Sequence, residues 1–375
     1  MNTSGSPRPA ELRAPASSTE LRRDRAEGSD HVSTRSLPRV RITDFDYFLP
    51  DDRIAQTPIE PRDAAKLLVD RGNAPAEHRH VHELPELLRS GDLLVLNETR
   101  VMPARLRLRR ESGGAAEVLL LEPWDAARRT WEALVRPGGK LRVGEVLLAG
   151  ETPLVRIGER TPAGDTFWVE LVGDADPVAL LDRHGEMPLP HYIGTRLEDP
   201  DRYQTVYAQE PGSAAAPTAG LHFTPDLFER LDAAGVATAT VELVVGLDTF
   251  QPISTEDPLE HPMHTERYRV PRSTLDACTA ADRVVAVGTT AVRALESAAL
   301  TGEPSGRTDL FIHRGFDWQV VDLLMTNFPL PKTTLLMMID AFVGPRWRTL
   351  YQTALESDYR FLSFGDAMLL NRDAS

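Results

Sequence analysis

The sequence predicts an α/β protein in which a layered α/β domain is interrupted by an inserted unit of six short strands. Between residues 104 and 172, six short apolar segments, several of them alternating with polar residues, are separated by glycine-rich turns. This pattern is typical of a small β-barrel or sandwich. From about residue 188, strand-like and helix-like segments alternate, which is typical of layered sheet and helices. A chain of 375 residues also exceeds one average domain.

The first residues predict a disordered arm. Residues 1–40 are rich in Ser, Pro, Arg and Ala and contain no apolar segment, so they resemble neither a signal peptide nor a folded element. Further on, the spacing of Leu84, Leu87 and Leu88 predicts a short helix that Ser90 and Gly91 end. The run LLVL at 93–96 then predicts a buried strand.

The six segments of the inserted unit are followed by one helix and then by the α/β pattern. We therefore expect an arm (1–40), a discontinuous α/β domain (41–99 and 186–375) and an inserted domain (100–185). The strands are expected at 104–110, 117–123, 130–137, 144–150, 153–158 and 166–172, and the helix at 177–185.

The α/β part contains one well-marked helix. Thr224 is a good N-cap, Pro225 suits the first helical position, and Gly235 suits the end. Further strands are expected at 237–245, 283–287, 309–313 and 319–325, further helices at 291–300, 332–342 and 346–356, and an edge strand at 367–370.

Composition limits the possible partners. A net charge of −14 argues against an extended basic surface for nucleic acid, although a local basic patch is compatible with it. The single cysteine, Cys278, cannot form an internal disulfide, which fits the cytoplasm. The sequence has no apolar run long enough to span a bilayer, so we expect no membrane association.

The loop GSAAAPTAGLHF at 212–223 is the first candidate site. Its small residues would let the backbone approach a ligand closely, and His222 and the N–H groups of the following helix could face that ligand. Alternatively, the alanines pack under another element and His222 is a hydrogen-bonded core residue. The residues alone favour neither interpretation.

The segment VAVGTTAVRALES at 285–297 is the second candidate. A strand that leads through Gly288, Thr289 and Thr290 into a helix forms an anion site, and Arg293 adds a positive charge. The alternative, somewhat favoured, is an ordinary turn in which Arg293 pairs with Glu296 or another neighbour.

Two further clusters are weaker candidates. Arg105, Arg107 and Arg109 share one strand face, which suits either phosphate contact or a solvated face balanced by nearby acids. In HPMHTERY, the spacing of His261 and His264 matches no tight metal motif, so we expect no metal.

Taken together, eight segments in chain order resemble the S-adenosylmethionine:tRNA ribosyltransferase-isomerase family of queuosine biosynthesis. The resemblance runs from about residue 41 to residue 370. The segments are NETRVMPARL, EMPLPHYI, RYQTVYAQEPGSAAAPTAGLHFT, TFQPI, HPMHTERY, VAVGTTAVRALESAA, MTNFPLPKTTLLMMIDAF and YRFLSFGDAMLL.

This resemblance implies a cytoplasmic enzyme whose α/β domain carries an inserted six-stranded Greek-key barrel. It implies transfer of the ribosyl portion of S-adenosylmethionine to 7-aminomethyl-7-deazaguanine at the wobble position of tRNA. Epoxyqueuosine forms, and adenine and methionine leave. S-adenosylmethionine is the co-substrate, no metal or further cofactor is implied, and we expect a monomer.

The resemblance also gives the residues expected at the site. The sulfonium acidifies the ribose C5′ hydrogens, so a general base can remove one. We expect His222 and Thr218 to be catalytic. The residues expected to bind substrate are Arg100, Arg105, Tyr203, Gln204, Gly220, His264, Gly288, Thr289, Thr290, Arg293 and Asn327.

The chain departs from the family pattern at four positions. The family commonly reads LHVGxGTF, where this chain has Val244 and Asp248, and TNFHLPxSTLLMLVSAF, where it has Pro329 and Asp340. Valine and proline side chains cannot donate, accept or titrate. Two alternatives therefore stay open: a related ribosyltransferase or lyase with a non-tRNA acceptor, and a non-catalytic tRNA or S-adenosylmethionine binder.

Overall fold

The computed structural model describes residues 40–125, 127–162, 164–246, 252–253, 255–261, 263 and 265–372. The predicted arm lies outside these ranges except for its last residue, and so do Asp248 and His264.

The secondary structure follows the predicted order. The first part contains β1 (Lys66–Val69), β2 (Glu77–His80), α1 (Leu84–Leu87), β3 (Asp92–Asn97) and β4 (Thr99–Val101). The inserted part contains β5 (Arg105–Arg110), β6 (Ala115–Pro123), β7 (Thr130–Arg136), β8 (Val146–Ala149), β9 (Thr152–Arg160), β10 (Phe167–Leu171) and α2 (Pro177–His184). Next come β11 (Gly185–Glu186), β12 (Glu210–Ser213), α3 (Pro225–Ala233), β13 (Ala237–Leu243), β14 (Glu266–Arg269) and α4 (Arg272–Ala280). The chain continues with β15 (Arg283–Val287), α5 (Thr289–Thr301), β16 (Ser305–Thr308), β17 (Leu323–Asn327), α6 (Thr334–Val343), α7 (Trp347–Glu356) and β18 (Ala367–Asn371).

The six strands β5 to β10 form a closed antiparallel barrel. Their order is β5-β6-β7-β10-β9-β8, and β8 pairs back with β5. The order β8-β5-β6-β7 is that of a Greek key. Along β7, Trp131, Ala133 and Val135 are buried in the barrel core and alternate with more exposed residues. The alternation that predicted these strands therefore corresponds to an inner and an outer face, and the barrel prediction is confirmed.

The other main element is a nine-stranded mixed sheet in the order β16-β14-β13-β3-β15-β17-β18-β1-β2. Its centre, β13-β3-β15-β17, is parallel. In β3, Leu93 and Val95 pack into one core with α5, α6 and α7, whereas Leu94 and Leu96 pack into a second core with α1 and α3. Because β3 is covered on both faces, its sequence is uniformly apolar. The layered α/β prediction is confirmed.

The helix caps follow the predicted chemistry. Thr224 Oγ1 accepts a hydrogen bond from the Leu227 N–H (3.1 Å), and Pro225 is the first residue of α3. Gly235, just after the helix, has a φ of +77°, which is the left-handed conformation that glycine tolerates. No helix in the part of the chain that the structure describes is both long and apolar enough to cross a membrane.

Two strand predictions need correction. The C-terminal strand β18 is not an edge strand, because it pairs with β17 on one side and β1 on the other. Residues 309–313 form no strand, and the strand expected at 319–325 begins only at Leu323. The Glu296 carboxylate explains the late start, because it accepts hydrogen bonds from the N–H groups of Gln319, Val320 and Val321 (2.9, 3.1 and 2.9 Å). Those donors are therefore unavailable to a neighbouring strand.

Candidate active site

A cleft of about 650 Å³ lies at the carboxyl ends of β15 and β17. Ligands of open α/β sheets bind at this edge, outside the carboxyl ends of the strands. Gly288 directly follows β15, and Asn327 is the last residue of β17. Both line the cleft, together with Thr218, Thr289 and Thr290. The structure therefore brings five of the predicted site residues to one place.

The turn between β15 and α5 forms one wall. Gly288 has a φ of +86°, a conformation that side-chain-bearing residues rarely adopt, and its N–H donates to the Met325 carbonyl (2.7 Å). The helix then begins at Thr289. The hydroxyl oxygen of Thr290 is buried and has no hydrogen-bond partner among the described residues. A buried hydroxyl without a partner is costly unless a ligand supplies one.

The small residues Ala216 to Ala219 form the facing wall. Thr218 Oγ1 donates to Asn327 Oδ1 (2.9 Å). Asn327 Nδ2 then donates to His222 Nε2 (3.2 Å) and to the Asp366 carbonyl (3.3 Å). A continuous hydrogen-bond chain thus runs from Thr218 in the cleft to His222 behind it.

His222 lies behind this wall rather than on it. It is buried and lines a smaller neighbouring cavity of about 240 Å³ with Arg62 and Arg202. Burial lowers the pKa of His222 to about 4, and the positive charge of Arg360 lowers it further. The imidazole is therefore neutral at neutral pH, which leaves Nε2 free to accept from Asn327.

Two residues that were not predicted complete the cleft. Tyr192 and Ser363 line it and share a hydrogen bond between their hydroxyl oxygens (2.6 Å). Burial raises the pKa of Tyr192 to about 12, so the phenol keeps its proton. Both lie inside segments that carried the family resemblance, EMPLPHYI and YRFLSFGDAMLL, and a polar residue in such a segment was the available signal.

Arg293 is separated from the turn with which it was grouped. Its guanidinium forms a buried ion pair with Glu266 and donates through Nε to the Leu310 carbonyl (3.2 Å). It lines a second, larger cleft, described below, and does not line the first. Pairing with a neighbouring acid was the alternative left open, although the partner is Glu266 and not Glu296.

Three other predicted residues support the wall from behind. Tyr203 is fully buried. Gln204 donates to the Val101 carbonyl (2.6 Å) and accepts from the Val101 N–H (3.0 Å). A Cβ on Gly220 would lie 2.0 Å from the Tyr207 hydroxyl, so only glycine fits there without a shift. None of the three lines the first cleft.

The predicted arginine face exists on β5. Arg105, Arg107 and Arg109 alternate with the buried Leu106 and Leu108. Arg107 pairs with Glu186 (2.8 Å), whereas Arg105 donates only to the Leu189 carbonyl (3.4 Å). On the neighbouring β4, Arg100 is exposed.

The positions that depart from the family pattern have different surroundings. Pro329 lines the first cleft, and its carbonyl accepts from the Tyr47 hydroxyl (2.5 Å). Val244 lines the second cleft. Asp340 is buried and accepts from Arg314 Nη2 (2.6 Å) and from the Trp347 indole (3.0 Å). The carboxylate at 340 is thus used in packing between α6 and α7.

Within the described residues, one group has the spacing of metal ligands: His80, His82 and Glu83. Glu83 already accepts from Arg79 (2.9 Å) and from the His80 N–H (2.7 Å). None of these residues lines either cleft, so the group has no geometric connection with the candidate active site.

Comparison with known proteins gives one consistent result. A family model described as queuosine biosynthesis protein matches residues 42–370. A relative from Symbiobacterium thermophilum is 50% identical over 344 residues, which cover 88% of this chain and 100% of the relative. One from Synechococcus elongatus is 47% identical over 345 residues, covering 88% and 96%. Both are named S-adenosylmethionine:tRNA ribosyltransferase-isomerase. The crystal structure of S-adenosylmethionine tRNA ribosyltransferase from Thermotoga maritima has a TM-score of 0.50 at 37% identity, covering 87% of this chain and 99% of that one.

Proposed function

The chain belongs to the S-adenosylmethionine:tRNA ribosyltransferase-isomerase family of queuosine biosynthesis, and on that basis we propose its reaction and the place where it occurs. The protein transfers and isomerises the ribosyl portion of S-adenosylmethionine onto 7-aminomethyl-7-deazaguanine at the wobble position of tRNA. Epoxyqueuosine is formed, and adenine and methionine are released. The observation that carries the location is the first cleft, whose polar atoms Thr218 Oγ1, Asn327 and Thr290 Oγ1 converge between small residues.

S-adenosylmethionine is suited to this cleft by size and by polarity. Its volume of about 650 Å³ is within the usual range of small-molecule pockets, roughly 300 to 1,000 Å³. The N-terminus of α5 offers free N–H groups and a favourable dipole to the methionine carboxylate. The unpartnered hydroxyl of Thr290 can donate to the same carboxylate. Phe328, Val245 and Leu335 supply apolar surface for the rest of the ligand.

Thr218 and His222 have different roles in this proposal. The Thr218 hydroxyl gives its hydrogen to Asn327, so its lone pairs can accept from a ribose hydroxyl. With a pKa of about 4, His222 holds no proton to donate at neutral pH, and it reaches the cleft only through Asn327. We therefore assign Thr218 to substrate contact and His222 to positioning Asn327.

The reaction sequence balances in four steps. A base removes a C5′ proton, which the adjacent sulfonium acidifies. Adenine then leaves with a proton. The aminomethyl nitrogen of the target base attacks, and the closing epoxide expels methionine. Holding both substrates in one site replaces a bimolecular encounter with an oriented one.

Exposed arginines near the first cleft are suited to the tRNA backbone. Arg100, Arg105 and Arg109 have no carboxylate partner among the described residues. Strand β4 pairs with β12, which leads directly into the alanine wall at 214–216. Phosphates bound by these arginines would hold the anticodon loop beside the cleft, and such contacts weaken with salt.

We place the protein in the cytoplasm, where its tRNA substrate is modified. We expect it to act as a monomer, without a cofactor beyond S-adenosylmethionine. Gel filtration with light scattering tests the oligomeric state. Turnover in the presence of a chelator tests for a required metal.

One assay tests the proposed reaction. The protein is incubated with S-adenosylmethionine and tRNA carrying the aminomethyl base, while adenine release and the mass of the modified nucleoside are followed. Both should appear together, and tRNA with ordinary guanine at the wobble position should give neither. If neither appears with the correct tRNA, the proposed function is wrong. Adenine without modified tRNA would instead indicate a different acceptor or a lyase, and ligand binding without adenine a non-catalytic binder.

A further inference from the structure

A second cleft of about 1650 Å³ lies between the outer face of the barrel and the α/β part. On the barrel side it is lined by residues of β6, β7 and β10, and on the other side by Arg293, Arg307 and others. Leu335 lines both clefts, and Val244 of the second cleft is adjacent in sequence to Val245 of the first. The two clefts therefore adjoin, and molecules bound in them can react with each other.

The barrel wall of this cleft carries a row of three residues on neighbouring strands. Glu122 of β6 lies directly opposite Glu132 of β7. Glu132 in turn lies directly opposite Trp168 of β10. Because Trp131 and Ala133 point into the barrel core, Glu132 points outward. Together with Asp165, which lines the same cleft, we call Glu122, Glu132 and Trp168 the acidic platform.

The acidic platform has more negative charge than its surroundings balance. Like charges directly opposite each other destabilise a sheet. Glu122 is compensated by Arg307 from the α/β part (2.9 Å), and Glu266 across the cleft is compensated by Arg293. Glu132 accepts only from the Thr166 hydroxyl (2.6 Å). No cation in the described part of the chain lies within ion-pair distance of Glu132 or Asp165, so a bound cation would remove an unfavourable repulsion.

The aromatic member gives the acidic platform a flat surface. Trp168 packs against Trp124 with ring centroids 4.5 Å apart, and Trp124 is 71% exposed. Unstacked nucleobases stack on such side chains, and cations bind to the face of tryptophan. A flat base with a positively charged substituent fits both properties.

We propose that the acidic platform binds the acceptor base of the tRNA, a purine-like ring that carries a primary ammonium group, after it leaves the anticodon loop. This proposal rests on the proposed function and specifies where its second substrate sits. Trp168 contacts the ring, while the carboxylates of Glu132 and Asp165 pair with the ammonium group and with ring N–H donors. Charge-assisted hydrogen bonds of this kind are stronger than neutral ones.

The same charges exclude the tRNA backbone from this surface. Phosphates would be repelled by the two unbalanced carboxylates, which leaves the backbone to basic residues elsewhere. The sulfonium of S-adenosylmethionine is another cation of the reaction, so the test must separate the two. None of the described residues that line the first cleft is a carboxylate, which is why the sulfonium is a real competitor for the acidic platform.

The test uses Glu132→Gln, Asp165→Asn and the double variant in the full-length protein. Glu132→Gln keeps an oxygen that can accept from Thr166, so the barrel should stay folded. We measure direct binding of tRNA with the aminomethyl base, of tRNA with ordinary guanine, and of S-adenosylmethionine. The wild-type protein should prefer the aminomethyl tRNA. Each single variant should bind it about tenfold to a hundredfold more weakly and lose the preference, with S-adenosylmethionine binding unchanged.

Matched controls are Glu159→Gln and Asp174→Asn, which remove the same charges from exposed barrel positions that do not line the cleft. They should behave as the wild-type protein does. Unchanged discrimination in the platform variants would overturn the proposal. Equal weakening of S-adenosylmethionine binding would also overturn it, because the acidic platform would then hold the sulfonium. Binding is read without turnover, so a failure of the proposed reaction in the wild-type protein is a separate and distinguishable result.

Discussion

Thr218 and Asn327 are joined across the first cleft by a hydrogen bond of 2.9 Å, although 109 residues separate them in sequence. The Asn327 side-chain oxygen accepts this bond, and its nitrogen donates to His222 and to the Asp366 carbonyl. The orientation of the amide is therefore fixed from both ends. A ligand that contacts Thr218 meets a hydroxyl whose hydrogen is already committed.

The first prediction concerns the dependence of stability on pH. The pKa of His222 is about 4 in the folded protein and 6.5 in its model state. The unfolded chain therefore takes up a proton as the pH falls through 6.5, while the folded protein does not. Unfolding should become easier by about 3 kcal/mol between pH 6.5 and pH 4 through this residue. Denaturant titrations of His222→Gln, which cannot titrate, should show a shallower pH dependence. An unchanged slope in the variant would contradict the buried, neutral state.

The second prediction concerns Thr290, whose buried hydroxyl has no partner among the described residues. Replacing it with valine keeps the shape and removes the hydroxyl. Calorimetry should show S-adenosylmethionine binding weakened by about tenfold, while the melting temperature without ligand stays equal or rises. Thr279→Val, in the exposed part of α4, is the matched control. Loss of stability without loss of affinity would mean that the hydroxyl serves packing instead.

The third prediction separates packing from ligand contact at Gly220. Alanine there would place Cβ 2.0 Å from the Tyr207 hydroxyl, so Gly220→Ala should lower the free energy of unfolding by about 1 to 3 kcal/mol. Tyr207→Phe removes the clashing oxygen and should recover part of that loss in the double variant. If Gly220→Ala instead melts as the wild-type protein does but fails to bind S-adenosylmethionine, Gly220 contacts the ligand.

The sequence predicted most reliably what depends on local pattern. The six barrel strands were found because each alternates inward Trp131-like and outward Glu132-like positions, and the α3 cap was found because Thr224 and Pro225 act within one turn. The turn of Gly288, Thr289 and Thr290 was likewise placed correctly between a strand and a helix.

What could not be predicted depends on pairing between distant segments. Nothing near β18 indicates that β1, about 300 residues earlier, covers its other side. Glu266 as the partner of Arg293 and Asn327 as the partner of Thr218 are likewise products of sheet order. The acidic platform is a further example, because Glu122, Glu132 and Trp168 meet only through strand pairing in the closed barrel.

The fourth prediction tests the role of Arg293. It pairs with Glu266 where both side chains are almost fully buried, and removal of one partner leaves an uncompensated charge. Arg293→Met should therefore lower stability by about 3 to 5 kcal/mol, measured by denaturant unfolding. At a temperature where the variant is still folded, its affinity for S-adenosylmethionine should match that of the wild-type protein. A loss of affinity without a loss of stability would return Arg293 to the binding site.

The fifth prediction concerns the exposed arginines of β4 and β5. If Arg100 and Arg105 contact tRNA phosphates, each releases counterions on binding, and the logarithm of the affinity falls linearly with the logarithm of salt concentration. Replacing either with glutamine should reduce that slope by about 0.7 to 0.9 and should weaken the binding of tRNA with either wobble base to the same extent. Arg156→Gln is the control, because Arg156 already pairs with Glu170 on the barrel surface. A variant that weakens binding without changing the salt slope would show that the arginine supports the fold of β4 or β5, because a lost phosphate contact must appear in the slope.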